Sequence, residues 1–299
     1  MHGILVIDKP QGITSHTVVQ RVRHACKVKR VGHAGTLDPL ATGLLIIGIG
    51  KCTRLIEYLV SSEKSYRATF VLGKVTDSQD ITGEVVGEGC AAHITADMIH
   101  QTCAAFVGDI EQVPPMFSAL KQNGVPLYRL ARKGVEVERQ KRQINISRLA
   151  VEHIEDDQVT IRVDCSKGTY IRTLCHDIGQ QLGCGACMTS LRRIRSGCFD
   201  ESMAISMDAL ADGDFQLLSA TAALQTMVNL KVTANGRDRL LHGIPPLVGD
   251  IADESSLEDA EQAAFYFEDK LLAIASYDPE HKFDERGDFK LVKVFPEGI

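Results

Sequence analysis

The sequence predicts an α+β protein made of one large domain and a smaller C-terminal one. Short apolar runs bounded by turn residues, such as residues 3–7 and 44–49, are typical of buried strands. Residues 15–26 and 171–182 instead space their apolar side chains as an amphipathic helix does. With 299 residues, 44% hydrophobic and 24% charged, the chain reaches the size at which one core usually divides.

The first strand, over residues 3–7, is closed by the turn cluster at residues 8–12. Thr14 or Ser15 can then cap a helix, since a hydroxyl accepts from the free N–H groups of the first turn. One face of that helix is apolar, formed by Val18, Val19, Val22 and Cys26. The segment therefore predicts a strand followed by a helix that packs on it.

Residues 32–43 form a loop rich in glycine and proline, because Gly permits positive φ and Pro removes a hydrogen-bond donor. The loop carries one carboxylate, Asp38, shortly before the apolar run of residues 44–49. Two interpretations are open at this point. Asp38 starts a turn at Pro39, or the loop holds the carboxylate at the edge of a sheet for chemistry.

The middle of the chain predicts further strands and helices. A strand is expected at residues 68–72, and Tyr66 at its start is either half-buried core or a functional phenol. Thr95 is expected to cap a helix over residues 96–107.

Alternating apolar residues predict a strand at residues 159–163. In the helix at 171–182, Arg172 is turned away from the apolar stripe, which leaves a solvent-exposed or a functional arginine as alternatives. Strand-like runs at residues 271–275 and 291–295 belong to the smaller unit, which is expected to start near residue 230.

The net charge of −6 is unevenly distributed. Residues 121–148 hold eight basic and two acidic side chains, a net +6, whereas residues 250–299 hold fourteen acidic and five basic side chains, a net −9. Because a polyanion responds to the local field, the basic segment can bind nucleic acid in an acidic protein. A solvated surface loop is the alternative for this segment.

Composition excludes several classes of protein. The opening apolar run is too short for a signal peptide, and no run approaches the roughly 20 residues of a membrane span. Nine scattered cysteines favour a reducing cytoplasm over a disulfide framework.

Cofactor and metal motifs are incomplete. Residues 48–53 resemble the end of a phosphate-binding loop, but Leu45 and Cys52 stand where that motif needs Gly and Ser or Thr. Cys184 and Cys187 form a lone C-x-x-C pair without the further ligands of a zinc site. The acids at 77 and 80 fit a turn. We therefore predict no metal site.

Residues 32–45, GHAGTLDPLATGLL, resemble the active-site segment of the TruB-type pseudouridine synthases. Further motifs of that family follow in order over residues 3–199: DKPxGxTSH at 8–16, KSY at 64–66, PPMFSALK at 114–121, CSKGTYIRT at 165–173 and LRRIRSG at 191–197. Several ordered motifs are far more specific than any one of them.

The resemblance implies a pseudouridine synthase fold, an α+β domain with a mixed, largely antiparallel central sheet flanked by helices. Residues 1–229 would form this catalytic domain, with 121–148 as a basic insertion that closes over the T arm of tRNA. Residues 230–299 would form a small β-rich PUA-like domain that touches the acceptor end of tRNA. The acidic stretch 250–261 is an unfavourable surface for that contact.

The resemblance also assigns site residues. Asp38 is the expected catalytic carboxylate, Arg172 is its expected partner, and Tyr66 is expected to stack on the target base and to abstract a proton. Expected substrate and RNA contacts are His33, Lys64, Arg129, Arg132, Arg142, Leu191, Arg192 and Arg193. Leu191 would line the base pocket, and a buried structural histidine is the alternative for His33.

The reaction implied is the isomerisation of uridine 55 in the T arm of tRNA to pseudouridine by a cytoplasmic, monomeric enzyme. It consumes no redox equivalents, so no cofactor is expected. Whether Asp38 attacks the base, attacks C1′ or deprotonates the sugar stays open. Two other functions also stay open: a non-catalytic RNA-binding or RNA-folding protein, and a guide-RNA-dependent synthase subunit of the dyskerin type.

Overall fold

The computed structural model describes residues 1–60, 63–252, 261–279 and 287–299. Within these ranges the helices are α1 Ser15–Cys26, α2 Ile56–Val60, α3 Ala96–Ala104, α4 Leu127–Ala131, α5 Ile171–Leu182, α6 Met207–Asp212 and α7 Ala234–Leu241. The strands are β1 Gly3–Lys9, β2 Val31–Ala34, β3 Thr42–Ile49, β4 Lys64–Leu72, β5 Lys74–Thr76, β6 Val85–Glu88, β7 Gly108–Gln112, β8 Lys121–Gln122, β9 Val125–Pro126, β10 Arg142–Glu155, β11 Gln158–Cys165, β12 Ala186–Ser196, β13 Phe199–Asp200, β14 Val228–Lys231, β15 Gln262–Phe267, β16 Lys270–Tyr277 and β17 Phe289–Val294.

The central sheet runs in the order β1-β3-β12-β4-β11-β10-β7, with β2 added to β3 and β13 to β12. Neighbours along this path are antiparallel except β3 and β12, which are parallel. The predicted α+β class with a mixed, largely antiparallel sheet is therefore confirmed.

Helices α1 and α5 pack on this sheet through the apolar faces that their sequences predict. At the start of α1, the Thr14 hydroxyl accepts a hydrogen bond from the Thr17 N–H (3.0 Å). Lys27 ends the helix in the left-handed conformation, with φ of 53°. In α5 the whole predicted stripe is buried, namely Ile171, Leu174, Ile178 and Leu182.

Helix α3 begins after the predicted cap, Thr95, but ends at Ala104, three residues before the predicted end. Val107, in the segment that was expected to be helical, is 45% exposed. Extending the helix would bury little more apolar surface, and short helices depend on such burial for their stability.

Strands β14 to β17 form a second, four-stranded sheet, which confirms the smaller β-rich unit. One face of this sheet has its own core, with Leu230, Phe265 and Phe289. The other face shares a core with the central sheet, in which Ile46 of β3 and Ile274 of β16 belong to one cluster. The two sheets are therefore joined by continuous apolar packing.

The predicted strands at residues 271–275 and 291–295 fall largely within β16 and β17, and the expected boundary after residue 229 lies inside β14. Of the acidic stretch at 250–261, residues 253–260 lie outside the described ranges. Asp250 itself is buried and accepts a hydrogen bond from the Leu247 N–H (2.9 Å).

Within the described ranges, no helix combines the length and the apolar character needed to cross a membrane. All nine cysteines lie in those ranges, and each is a free thiol.

Candidate active site

Asp38 lies in the connection between β2 and β3, and buried side chains from the start of the chain hold this loop. The Ser15 hydroxyl accepts from the Leu37 N–H (2.9 Å) and donates to the Leu37 carbonyl (3.0 Å). The buried Lys9 ammonium lies 3.4 Å from the Pro39 carbonyl, to which it donates. The residues on both sides of Asp38 are thereby fixed.

Arg193 holds the same loop from strand β12. It is 1% exposed, and its guanidinium donates to the carbonyls of Leu44 (Nε, 2.7 Å) and Gly35 (Nη2, 3.1 Å). Gly43 has φ of +92°, and a Cβ there would lie 2.3 Å from the Arg193 carbonyl oxygen. The glycine is therefore required by both conformation and space.

Arg172 forms an ion pair with Asp38 from the first turn of α5, with 3.1 Å between Nε and Oδ2. Arg172 is 5% exposed, so the alternative of a solvent-exposed arginine is wrong. Its Nη1 donates to the Ser78 carbonyl (3.0 Å) and lies 3.4 Å from Asp80 Oδ2, while Nη2 donates to the Phe117 carbonyl (2.7 Å). These contacts fix the plane of the guanidinium and its edge toward Asp38.

A cavity of about 270 Å³ opens beside Asp38, whose side chain is 39% exposed. Its wall contains the predicted site residues Asp38, Lys64, Tyr66, Arg172, Leu191 and Arg193, together with Tyr170. The structure thus brings a partly open carboxylate, a guanidinium and two phenols to one pocket that is otherwise partly apolar.

Burial raises the pKa of Asp38 above its ordinary value. Among the nearby charges, Arg172 and Lys9 oppose this rise and Asp80 adds to it. Burial also lowers the pKa of Lys9 to about 8. The carboxylate therefore has positive partners but less hydration than an exposed one, which leaves it more reactive toward a proton or an electrophile.

Burial likewise raises the pKa of the Tyr66 phenol, while the Arg193 guanidinium, which hydrogen-bonds to it, opposes the rise. The hydroxyl is therefore protonated at neutral pH, and it would have to lose this proton before serving as a base. Lys64 is also buried: burial lowers its pKa to about 8, and its ammonium donates to the Val60 carbonyl.

The other predicted RNA-binding residues lie outside the wall of this cavity. His33 is half-buried on β2, and its Nδ1 is buried without a hydrogen-bond partner among the described residues. The arginines of the insertion are exposed: Arg129, Arg132 and Arg142.

The two arginines of the LRRIRSG motif have different surroundings. Arg192 is partly exposed and pairs with Asp8 (2.9 Å) and Glu201 (2.6 Å). Arg193 is buried and its guanidinium donates to the backbone carbonyls of Leu44 and Gly35. Because it also lies in the cavity wall, its contact with the substrate or RNA stays a prediction.

Asp80 is a site residue that the sequence reasoning missed. It lies in the predicted turn, where its carboxylate accepts from the Thr82 N–H (3.0 Å), and it supplies Arg172 with a second carboxylate. Acids in turns are common, and the spacing of 92 residues between Asp80 and Arg172 gives no local signal.

Within the described ranges, no three His, Cys, Asp or Glu side chains are grouped as metal ligands.

Comparison with known proteins finds two matching family models. Residues 23–171 match the N-terminal domain of the TruB family of pseudouridylate synthases, and residues 172–229 match the C-terminal domain of tRNA pseudouridylate synthase B. The chain is 47% identical to the tRNA pseudouridine synthase B of Syntrophotalea carbinolica over 303 residues, covering 100% of this chain and 99% of the relative. It is 48% identical to the protein of that name from Geobacter sulfurreducens over 257 residues, covering 84% of each.

A solved structure is also similar. The chain aligns with one from an H/ACA RNP bound to a substrate RNA containing 2′-deoxyuridine, with a TM-score of 0.73 and 26% identity. This alignment covers 98% of the present chain and 84% of the other.

Proposed function

The chain belongs to the TruB family of pseudouridylate synthases, and from this premise we propose that it converts uridine 55 in the T arm of tRNA to pseudouridine. The observation that carries the proposal is the ion pair of Asp38 with the buried Arg172, in a pocket that also holds Tyr66. Such a pocket can take a flat base and act on its glycosidic bond.

The isomerisation breaks the N1–C1′ bond of uridine, turns the uracil, and joins C5 to C1′. The hydrogen on C5 leaves and N1 gains one, so the reaction is balanced without an electron donor or acceptor. Asp38 starts this sequence by bonding to the base, by bonding to C1′ or by removing a sugar proton, and each route needs an ionised carboxylate. Arg172 holds Oδ2, which keeps the carboxylate ionised and aimed into the cavity.

Tyr66 forms part of the cavity wall, where its ring can stack on the base and its hydroxyl can exchange the C5 proton. Leu191 supplies an apolar surface for the same base. A target uridine inside a folded tRNA loop has to be flipped out to reach this pocket, and His33, on the strand before the catalytic loop, would stack on the disturbed RNA.

The basic insertion would bind the phosphates of the T arm. Residues 121–148 carry a net charge of +6, and the arginines at 129, 132 and 142 are exposed. Neutralising phosphates releases counterions, so the affinity for tRNA should fall steeply with salt.

We further propose that residues 1–229 form the catalytic domain and residues 230–299 a PUA-like domain near the acceptor end. The enzyme would act as a monomer in the cytoplasm. A subunit that works only with RNA and protein partners is the alternative suggested by the likeness to a chain of an H/ACA RNP, at 26% identity. The 47% identity to a tRNA pseudouridine synthase B over the full chain favours the stand-alone enzyme.

The test uses a tRNA transcript tritiated at C5 of uridine, incubated with the purified chain alone and with Asp38→Asn. We expect the wild type to release tritium to water and Asp38→Asn to bind tRNA without release. Release from neither protein, with tRNA still bound, would support an RNA-binding protein or a missing partner. Release by Asp38→Asn would contradict the role of Asp38.

A further inference from the structure

Gln112 is a buried polar residue at the base of the insertion. It is 2% exposed and is the last residue of β7, paired in register with Arg142 of β10. Between these two positions the chain lies outside the central sheet, and this part of the chain includes residues 121–141 of the insertion. Gln112 is therefore fixed by the sheet on one side and adjoins the RNA-binding segment on the other.

The carboxamide of Gln112 bonds both backbone groups of Tyr170. Its Nε2 donates to the Tyr170 carbonyl (3.0 Å), and its Oε1 accepts from the Tyr170 N–H (2.8 Å). Tyr170 is the N-cap residue of α5, and its own side chain makes no capping hydrogen bond. The Tyr170 carbonyl also accepts from the Leu174 N–H (3.0 Å), so the loss of Gln112 would chiefly remove the partner of the Tyr170 N–H.

The first turn of α5 is joined at a second point to the segment that leads from β7 to the insertion. Arg172 donates from Nη2 to the carbonyl of Phe117, five residues after Gln112. The segment 112–117 therefore contacts α5 through Tyr170 and through Arg172. The distance between Arg172 Nε and Asp38 depends on where this turn of α5 is held.

We propose that Gln112 is a positioning residue for the isomerisation, which aligns the first turn of α5 with the base of the insertion so that Arg172 meets Asp38. The inference rests on the proposed function. Gln112 acts through Tyr170 and Arg172 and does not line the cavity itself.

The first test compares wild type with Gln112→Ala by single-turnover tritium release from the tRNA transcript. A small displacement of a catalytic group slows the chemical step more than it weakens binding, so we expect release to slow by about 10- to 100-fold. The dissociation constant for the same tRNA should stay within about twofold, because phosphate contacts set most of the affinity.

The second test uses Gln112→Glu, which has nearly the same shape. An ionised carboxylate accepts from the Tyr170 N–H but repels the Tyr170 carbonyl, whereas the protonated acid restores the donor. Burial should move this titration toward neutrality. The rate of Gln112→Glu relative to wild type should therefore rise as the pH falls from about 8 to about 6. The relative rate of Gln112→Ala should stay constant.

Gln158→Ala, an exposed glutamine on β11 outside the cavity wall, is the matched control and should keep the wild-type rate. Wild-type release together with an unchanged rate in Gln112→Ala would overturn this inference alone. A rate of Gln112→Glu relative to wild type that does not change with pH would also overturn it. This comparison does not depend on folding, because the same folded variant is measured at each pH. Failure of the wild type to release tritium would instead overturn the proposed function.

Discussion

The wall of the cavity beside Asp38 and the basic insertion are built in opposite ways. Arg172 is 5% exposed and is fixed by carbonyls and carboxylates from three segments of the chain. The insertion presents Arg129, Arg132 and Arg142 to solvent, and its ion pair between Arg139 and Glu136 (3.1 Å) involves a largely exposed carboxylate. Chemistry at one bond needs groups held in place, whereas binding to a polyanion tolerates side chains that adapt.

This difference separates two kinds of defect. Changes in the wall should lower the rate of the bound complex, and changes in the insertion should lower the affinity for tRNA.

Arg172→Lys should have the largest effect, a loss of about 1,000-fold in the single-turnover rate with little loss of tRNA affinity. One ammonium cannot replace a planar guanidinium that contacts Asp38, Asp80 and Phe117 together. Tritium release and filter binding on the same tRNA measure the two quantities. A variant that loses affinity as strongly as rate would remove the distinction between wall and insertion.

Changing Arg129, Arg132 and Arg142 together to Gln should weaken tRNA binding by about 100-fold at 0.1 M salt, if each contacts one phosphate. The single-turnover rate at saturating enzyme should change little. The salt dependence of the dissociation constant should become shallower by about two to three charges.

Glu136→Gln is the control of opposite sign in the same segment, since it removes an exposed negative charge. It should strengthen binding slightly. Unchanged affinity in both variants would show that the insertion does not contact RNA phosphates.

The pH profile should report Asp38. Burial raises the pKa of this carboxyl, and only its ionised form is reactive, so activity should fall as the pH drops through that raised pKa. Below it, the rate should fall by about tenfold for each pH unit, at higher pH than for an exposed Asp. A rate that is constant down to the ordinary range of Asp would show that Arg172 outweighs burial.

Ser15→Ala should have the smallest effect on rate, about a few-fold, and should lower the free energy of unfolding by about 1–3 kcal/mol. It leaves the buried N–H and carbonyl of Leu37, beside Asp38, without their partner. Thr14→Ala is the control, because it removes the cap of α1 and lowers stability without touching Leu37. Equal rates in the two variants would show that Ser15 supports stability alone.

The sequence predicted the helices and strands whose buried side chains recur at a regular spacing within one segment of the chain. Helix α5 shows its stripe at regular spacing, and the strand around Ile161 alternates as its neighbours in the sheet require. The predicted end of α3 was wrong, because the helix end depends on what packs against residue 107. The local sequence pattern does not show this packing.

Residues of the site could be predicted only where they belong to a family motif. Asp38 and Arg172 were expected to pair because of a family resemblance, and the structure places them 3.1 Å apart. Asp80 and Gln112 were not expected, since each contacts a partner that is distant in the sequence. The burial of Arg193 was not expected either, because an arginine in a strand gives no sign of which face it is on.

The core shared by the two sheets has a consequence for how the chain folds. The core cluster that contains Ile46 of strand β3 also contains residues of β15 and β16, more than 200 positions later in the sequence. During synthesis the central sheet would therefore leave the ribosome with this core incomplete, and would reach its full stability only after the last sheet is made. Calorimetry of the whole chain should accordingly show one cooperative transition for both units.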